Sequence, residues 1–246
     1  MKKLWLLLIP ALMLFISCDD DGYSLDDFVI DIATVENPDN SNYFYLRLDD
    51  GKVLWMAATN LYNYKPQTGQ RILANFTLLS DRPENSGYNH DIKLNDAYNI
   101  LTKGIFNITP ETQDSIGYNP IEINDMWIGS NYLNVEFYYR GYNKTHYITL
   151  AKDDSKEYDD GKIHLEFRHN ACNDQEIYKG NGIVSFNLIA LQALTSEKTL
   201  DLAIHVKKYD TEETTYEFKY NFGEKDSRSE EFNNNYFTNT ETADVK

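Results

Sequence analysis

The sequence predicts an all-β protein whose second half is an antiparallel sandwich. Three observations lead there. Strand-favouring aromatic residues are abundant, with 19 Tyr, 12 Phe and 3 Trp in 246 residues. Apolar and polar residues alternate over short runs, the period of a strand with one buried face. Asp-Asp-Gly turns at 49–51 and 159–161 separate such runs, glycine tolerating the positive φ that tight hairpins require.

The N-terminal stretch is of another kind. Lys2 and Lys3 precede an apolar run from Leu4 to Ile16. A bilayer span needs about 20 apolar residues, so residues 1–17 read as a signal peptide. Phe15-Ile16-Ser17-Cys18 resembles a lipoprotein processing site, which makes Cys18 the lipid attachment point and membrane its partner through that lipid. Several acyl chains, at about 0.8 kcal/mol per buried methylene, hold stably where one is marginal. Asp19, Asp20 and Asp21 follow at once, similar to the acidic export signal of some Gram-negative gut bacteria. The expected location is therefore the outer membrane, facing the cell surface, with residues 18–27 as an acidic tether.

Charge narrows the partners. The chain has 23 Lys+Arg against 39 Asp+Glu, a net charge of −16, or −18 once Lys2 and Lys3 leave with the leader. Nucleic-acid binding rests on neutralising phosphates with cations, and no basic run is present. Cationic proteins or peptides and neutral glycans stay open as ligands. With Cys18 acylated, Cys172 has no cysteine left to pair with, so stability must come from an apolar core.

Along the chain, 28–35 alternates with Phe28, Ile30 and Ile32 on one face. Runs 43–48 and 53–57 form a hairpin, 60–69 is a loop marked by Pro66, and 71–79 is another strand. Run 91–101 is a strand or a short helix. Residues 108–120, with Pro110, Gly117 and Pro120, read as a linker between a first domain at 28–107 and a second at 121–223. In the second, 125–140 puts Leu133, Val135, Phe137 and Tyr139 on one face and Tyr132, Asn134, Glu136 and Tyr138 on the other. Further strands at 145–151, 162–169, 183–188, 200–206 and 215–222 complete a set with one apolar and one wet face, the pattern of a sandwich. Residues 224–246 form a polar tail.

Many short motifs resemble those of the NigD-like lipoproteins. They include Asp27-Phe28-Val29-Ile30-Asp31, Leu48-Asp49-Asp50-Gly51, Ile100-Leu101-Thr102-Lys103-Gly104, Asp125-Met126-Trp127-Ile128 and Leu165-Glu166-Phe167-Arg168-His169-Asn170-Ala171. The resemblance implies an N-terminal OB-like barrel before the sandwich, and a bacteriocin-immunity role proposed for the family. The OB-fold's usual helix between its third and fourth strands has no good counterpart in 60–70.

Candidate chemistry is sparse. His164 and His169 lie five apart on one strand and point to opposite faces; His146 could sit across from His164, without further metal ligands in view. Cys172 follows His169 by three residues, with no oxyanion-hole motif or third partner. No catalytic residue, metal or cofactor is assigned, and the chain reads as a non-enzyme. Ser115, in Asp114-Ser115-Ile116, is similar to an O-glycosylation signal of some gut anaerobes. The ligand-binding candidates are Tyr62 and Tyr64 in the 60–69 loop, Tyr132 and Tyr138 opposite the core stripe, and Tyr142 at the following turn. Tyrosine offers rigid contact area with a polar tip, useful against a protein, a peptide or a glycan. The expected function is a lipid-anchored envelope protein binding a protein or peptide, immunity-like; the alternative is an accessory lipoprotein binding a glycan.

Overall fold

A computed structural model describes residues 23–36, 43–210 and 213–221. Cys18, Asp19–Asp21 and the 224–246 tail lie outside the described residues. The first five strands are β1 (Val29–Glu36), β2 (Tyr45–Leu48), β3 (Val53–Thr59), β4 (Arg71–Asp81) and β5 (His90–Asn99). They close into a barrel in the order β1-β2-β3-β5-β4. The β2–β3 hairpin turns at Gly51, with φ 85°. Val35, Leu46, Leu54, Ile72, Phe76, Ile92 and Leu94 fill the interior. Residues 60–70 are turns and loop, so the barrel lacks the helix that many OB-folds place there. The run that left strand and helix open at 91–101 is strand, its side chains alternating between barrel interior and outside.

The sandwich stacks two sheets. One runs β6 (Leu101–Lys103), β12 (Tyr178–Asn187), β9 (Tyr132–Gly141), β8 (Glu122–Gly129); the other runs β14 (Thr214–Asn221), β13 (Thr199–Val206), β11 (Ile163–Asn170), β10 (Tyr147–Lys152), β7 (Phe106–Asn107). Between them lie the predicted stripe of Leu133, Val135, Phe137 and Tyr139, and Leu165, Phe167, Phe186 and Ile204. Most pairings are antiparallel, while β6–β12, β7–β10 and β11–β13 are parallel.

Three expectations need correction. The single run 125–140 is two strands: Gly129-Ser130-Asn131 turns the chain between β8 and β9, with Ser130 at φ 54°. The boundary between domains falls at Ile100 rather than after 107, because β6 and β7 pair with sandwich strands. Residues 108–120 bury little, as a linker would, but they join β7 to β8 within the sandwich and are tied to it rather than separating two domains. The Arg168 guanidinium lies 4.1 Å from the Tyr118 ring centroid, and the Asn119 N–H donates to His169 O at 2.8 Å.

The barrel sits on the β8–β9–β12 sheet. Ile30, Ile32, Leu73 and Ile100 pack there against Trp127 and Ile183, so the stripe predicted at Ile30 and Ile32 serves the domain interface while Ala33 and Val35 line the barrel. Phe28, placed with them, is about half exposed. At the centre is Arg71, 0% exposed. Its guanidinium donates to both carboxylate oxygens of Asp49, at 2.6 and 2.8 Å, and to Asn134 Oδ1 at 3.1 Å. Asn134 donates back to Asp49 at 3.1 Å and accepts from Ser185 at 2.6 Å. The Tyr132 ring lies 4.2 Å from the guanidinium carbon. Gly129 backs onto Asp49 so closely that a Cβ would overlap its carboxylate.

Removing one partner of a buried ion pair strands the other in low dielectric, at about 3–5 kcal/mol. Asp49→Ala is therefore expected to lower unfolding free energy by that order, read as a shift in urea midpoint. Asp31 adds a pH signature. Burial raises its carboxyl to about 7, with Asp49 and Asp50 pushing the same way against Arg71 and the Ile32 N–H. An acid whose folded pKa is raised is most stabilising when protonated, so this stability is present below about pH 4 and lost as pH rises through 7. Asp31→Asn should then raise stability at pH 8, by at most about 4 kcal/mol, and little at pH 4.

Candidate functional site at the far end of the sandwich

β9 leaves the barrel contact at Asn134 and ends at Gly141, roughly 20 Å further along at 3.3 Å per residue. There, β12 begins beside it, Tyr178 opposite Gly141. Tyr142, Ile177 and Tyr178 are 52, 53 and 64% exposed. The Tyr142 and Tyr178 ring centroids are 6.0 Å apart. On the adjoining sheet face the Lys179 ammonium sits 3.8 Å over the Tyr138 ring and 3.5 Å from Glu122. This tip gathers two of the predicted tyrosines, Tyr138 and Tyr142, with two residues sequence reasoning missed, Ile177 and Tyr178.

The tip is held from beneath by a chain of side chains. Asp174 accepts from the backbone N–H groups of Tyr142, Asn143 and Lys144, and from His146 Nε2 at 3.1 Å. His146 Nδ1 meets His169 Nε2 at 2.8 Å, and His169 Nδ1–H donates to Pro120 O at 3.0 Å. Burial lowers His169 to about 4, so its Nε2 is the acceptor in the contact with His146 Nδ1. Burial alone would raise the Asp174 carboxyl, but the three backbone N–H groups and His146 hold it well below the usual range. Lys144 adds a return bond, its ammonium 2.9 Å from the carbonyls of Cys172 and Asn173.

The remaining sequence candidates are dispersed. Tyr132 is committed to the domain interface under Arg71. Tyr64 packs edge-on against Phe44, donates to Asn99 at 3.0 Å, and is raised by burial to about 12. Only Tyr62 of that loop is free-standing, 89% exposed. Ser115 is exposed, its hydroxyl donating to Thr112 O at 2.8 Å. The idea that His146 faces His164 is wrong: His146 pairs with His169, and His164 with His205 at 2.8 Å, under the stacked ring of Tyr158. His164 and His169 do point to opposite faces. The second pair is bounded by Asp160 at 2.9 Å and Thr215 at 3.1 Å. With both its nitrogens engaged, His169 is not a base for Cys172. Among the described residues no group of three or more His, Cys, Asp or Glu is placed to hold a metal ion.

On the barrel, the β2–β3 face that OB-folds use for oligonucleotides and oligosaccharides is occupied by its own residues. Tyr88 packs edge-on against Tyr45 and Trp55, and Arg82 lies 5.3 Å over Trp55 while bonding Asp91 at 2.7 Å.

Protonating His169 would set a second N–H against that of His146. A base with a lowered folded pKa contributes stability present above its ordinary value of about 6.5 and lost as pH falls towards 4. His169→Gln is expected to reduce the loss of stability between pH 7 and 4, the opposite sign to Asp31→Asn, as read from urea midpoints at the two pH values.

Comparison with known proteins agrees with this architecture. The NigD-like N-terminal OB domain matches residues 32–100, and the NigD-like C-terminal beta sandwich domain residues 104–220. A toxin-related protein from Parabacteroides distasonis is 42% identical, covering 80% of this chain and 96% of its own, with a TM-score of 0.69. A protein of unknown function from Bacteroides vulgatus is 31% identical over 84% of this chain and 96% of its own, at 0.72. A NigD-like immunity protein from Bacteroides caccae shares the fold at 19% identity, over 81% of this chain and 99% of its own, at 0.60. No curated protein matches. With both domains matched in order, the chain belongs to the NigD-like family.

Proposed function

We propose that this chain is a non-catalytic envelope protein that binds a protein or peptide partner at the sandwich tip, in an immunity-like role. One observation carries the reading: Tyr142, Ile177 and Tyr178 stand exposed together at the tip, where Asp174 and His146 hold the backbone of the Tyr142 loop and β12 begins at Tyr178. Exposed aromatic side chains on a backbone already held in position lose less entropy on contact, which favours binding hot spots. The structural relative from Bacteroides caccae described as a NigD-like immunity protein supports the role, as does the net charge of −16, which speeds encounter with a cationic toxin.

In this reading Cys18 carries the lipid, Asp19–Asp21 direct the chain outward, and Ser115 is open to glycosylation. A glycan ligand is the second reading, now reduced to Tyr62, since Tyr64 is committed to packing. Deleting the gene should raise sensitivity to bacteriocins of neighbouring strains. The wild-type gene should restore protection, and a Tyr142→Ala/Tyr178→Ala version, folded and equally abundant, should not. Killing unchanged by deletion across a broad panel would remove the immunity role.

A further inference from the structure

A strand edge presents a row of unpaired N–H and C=O groups, and proteins ordinarily guard it. Three edges of the sandwich are guarded. β8 carries a register shift between Ile123 and Asp125, beside the charges of Glu122 and Asp125. β14 alternates the exposed side chains of Thr215, Glu217 and Lys219. Beyond short β7, the edge of β10 is held by Lys103, whose ammonium donates to Ile148 O at 2.7 Å.

β12 differs. It pairs with β9 along its whole length, but on the other side β6 takes only Val184, Ser185 and Phe186. No described strand lies beside Tyr178–Ile183, where alternate residues turn their backbone N–H and C=O away from β9. Side chains do not guard this edge either. Gly180 and Gly182 have none, because a Cβ would meet the rings of Tyr139 and Phe137 at 2.7 Å. The Lys179 ammonium leans the opposite way, across Tyr138 on β9 towards Glu122 on β8.

We propose that the free edge of β12, Tyr178–Ile183, takes an extended segment of a partner polypeptide as an added strand. This rests on the reading of the tip as a polypeptide-binding surface and says how the partner is held. Main-chain hydrogen bonds supply affinity and alternate side chains specificity. The strand begins at Tyr178, itself a tip residue, so an added strand runs directly past Tyr178 and Ile177. The chain's net charge of −16, with exposed Glu176 two residues before the strand, selects a cationic segment that alternates lysine or arginine with apolar residues.

The test is amide hydrogen exchange on the full chain with a short, end-blocked peptide alternating lysine and valine. Exchange should slow by about tenfold or more at alternate amides of 178–183, and not with glutamate in place of lysine or with every peptide nitrogen methylated. Three results overturn the proposal: no slowing at millimolar peptide, slowing along β14 instead, or protection of 178–183 that rises with protein concentration alone, which assigns the edge to a second copy. Repeating the measurement on Tyr142→Ala separates the two readings. The edge can pair normally with the peptide while the immunity role fails in the killing assay, and the reverse.

Discussion

A fully buried guanidinium is the constraint on which the two-domain body depends. Arg71 lies where barrel meets sandwich, and its charge is tolerable there because Asp49 takes it bidentately and Asn134 closes the triangle. A buried charge without such partners costs several kcal/mol. The barrel alone would leave Arg71 and Asp49 without Asn134 and Tyr132, and the sandwich alone would leave Asn134 with Ser185 but without Arg71 and Asp49. Around this polar centre Ile30, Ile32, Trp127 and Ile183 pack across the interface, and the hydrogen bonds of Arg71 and Asp49 to Asn134 cross it with them. Polar groups used this way specify geometry more than they add stability.

That fixed geometry gives the tip its meaning. With the barrel seated against one end of β9 and β12, the tyrosines at the other end are held away from it, and the Asp174–His146–His169 chain keeps their loops from collapsing. The histidines thus do structural work of the sort a metal does in other small domains. On the barrel, by contrast, the face that OB-folds use for ligands has its aromatic rings engaged by Tyr88 and Arg82. Exposed aromatic side chains stand instead at the tip of the sandwich, which is why the proposed contact is placed there.

Much of the fold was legible because period-two alternation survives wherever one face is buried. Leu133, Val135, Phe137 and Tyr139 could be read directly as core, and the family resemblance supplied the barrel. Alternation could not say which body a face packs against, so Ile30 and Ile32 were visible as buried but not as interface. The hairpin at Gly129-Ser130-Asn131 stayed hidden although its residues are turn formers, because alternation continues on either side and the positive φ falls on Ser130 rather than on the glycine. The site was half legible. Tyr138 stood out by lying opposite the core stripe and Tyr142 by its place at the turn, whereas Tyr178 joins them only through the pairing of β12 with β9, a contact between residues far apart in sequence. The histidine pairings were out of reach for the same reason, since partner and distance depend on strand order.

The central claim is that the tip meets a polypeptide. Photo-crosslinking tests it most directly, with a photoreactive amino acid replacing Tyr178, or Tyr62 as comparison, in living cells exposed to bacteriocins of neighbouring strains. The account predicts a polypeptide adduct from position 178 and none from position 62. Adducts from position 62 alone, or glycan without polypeptide at position 178, would contradict it.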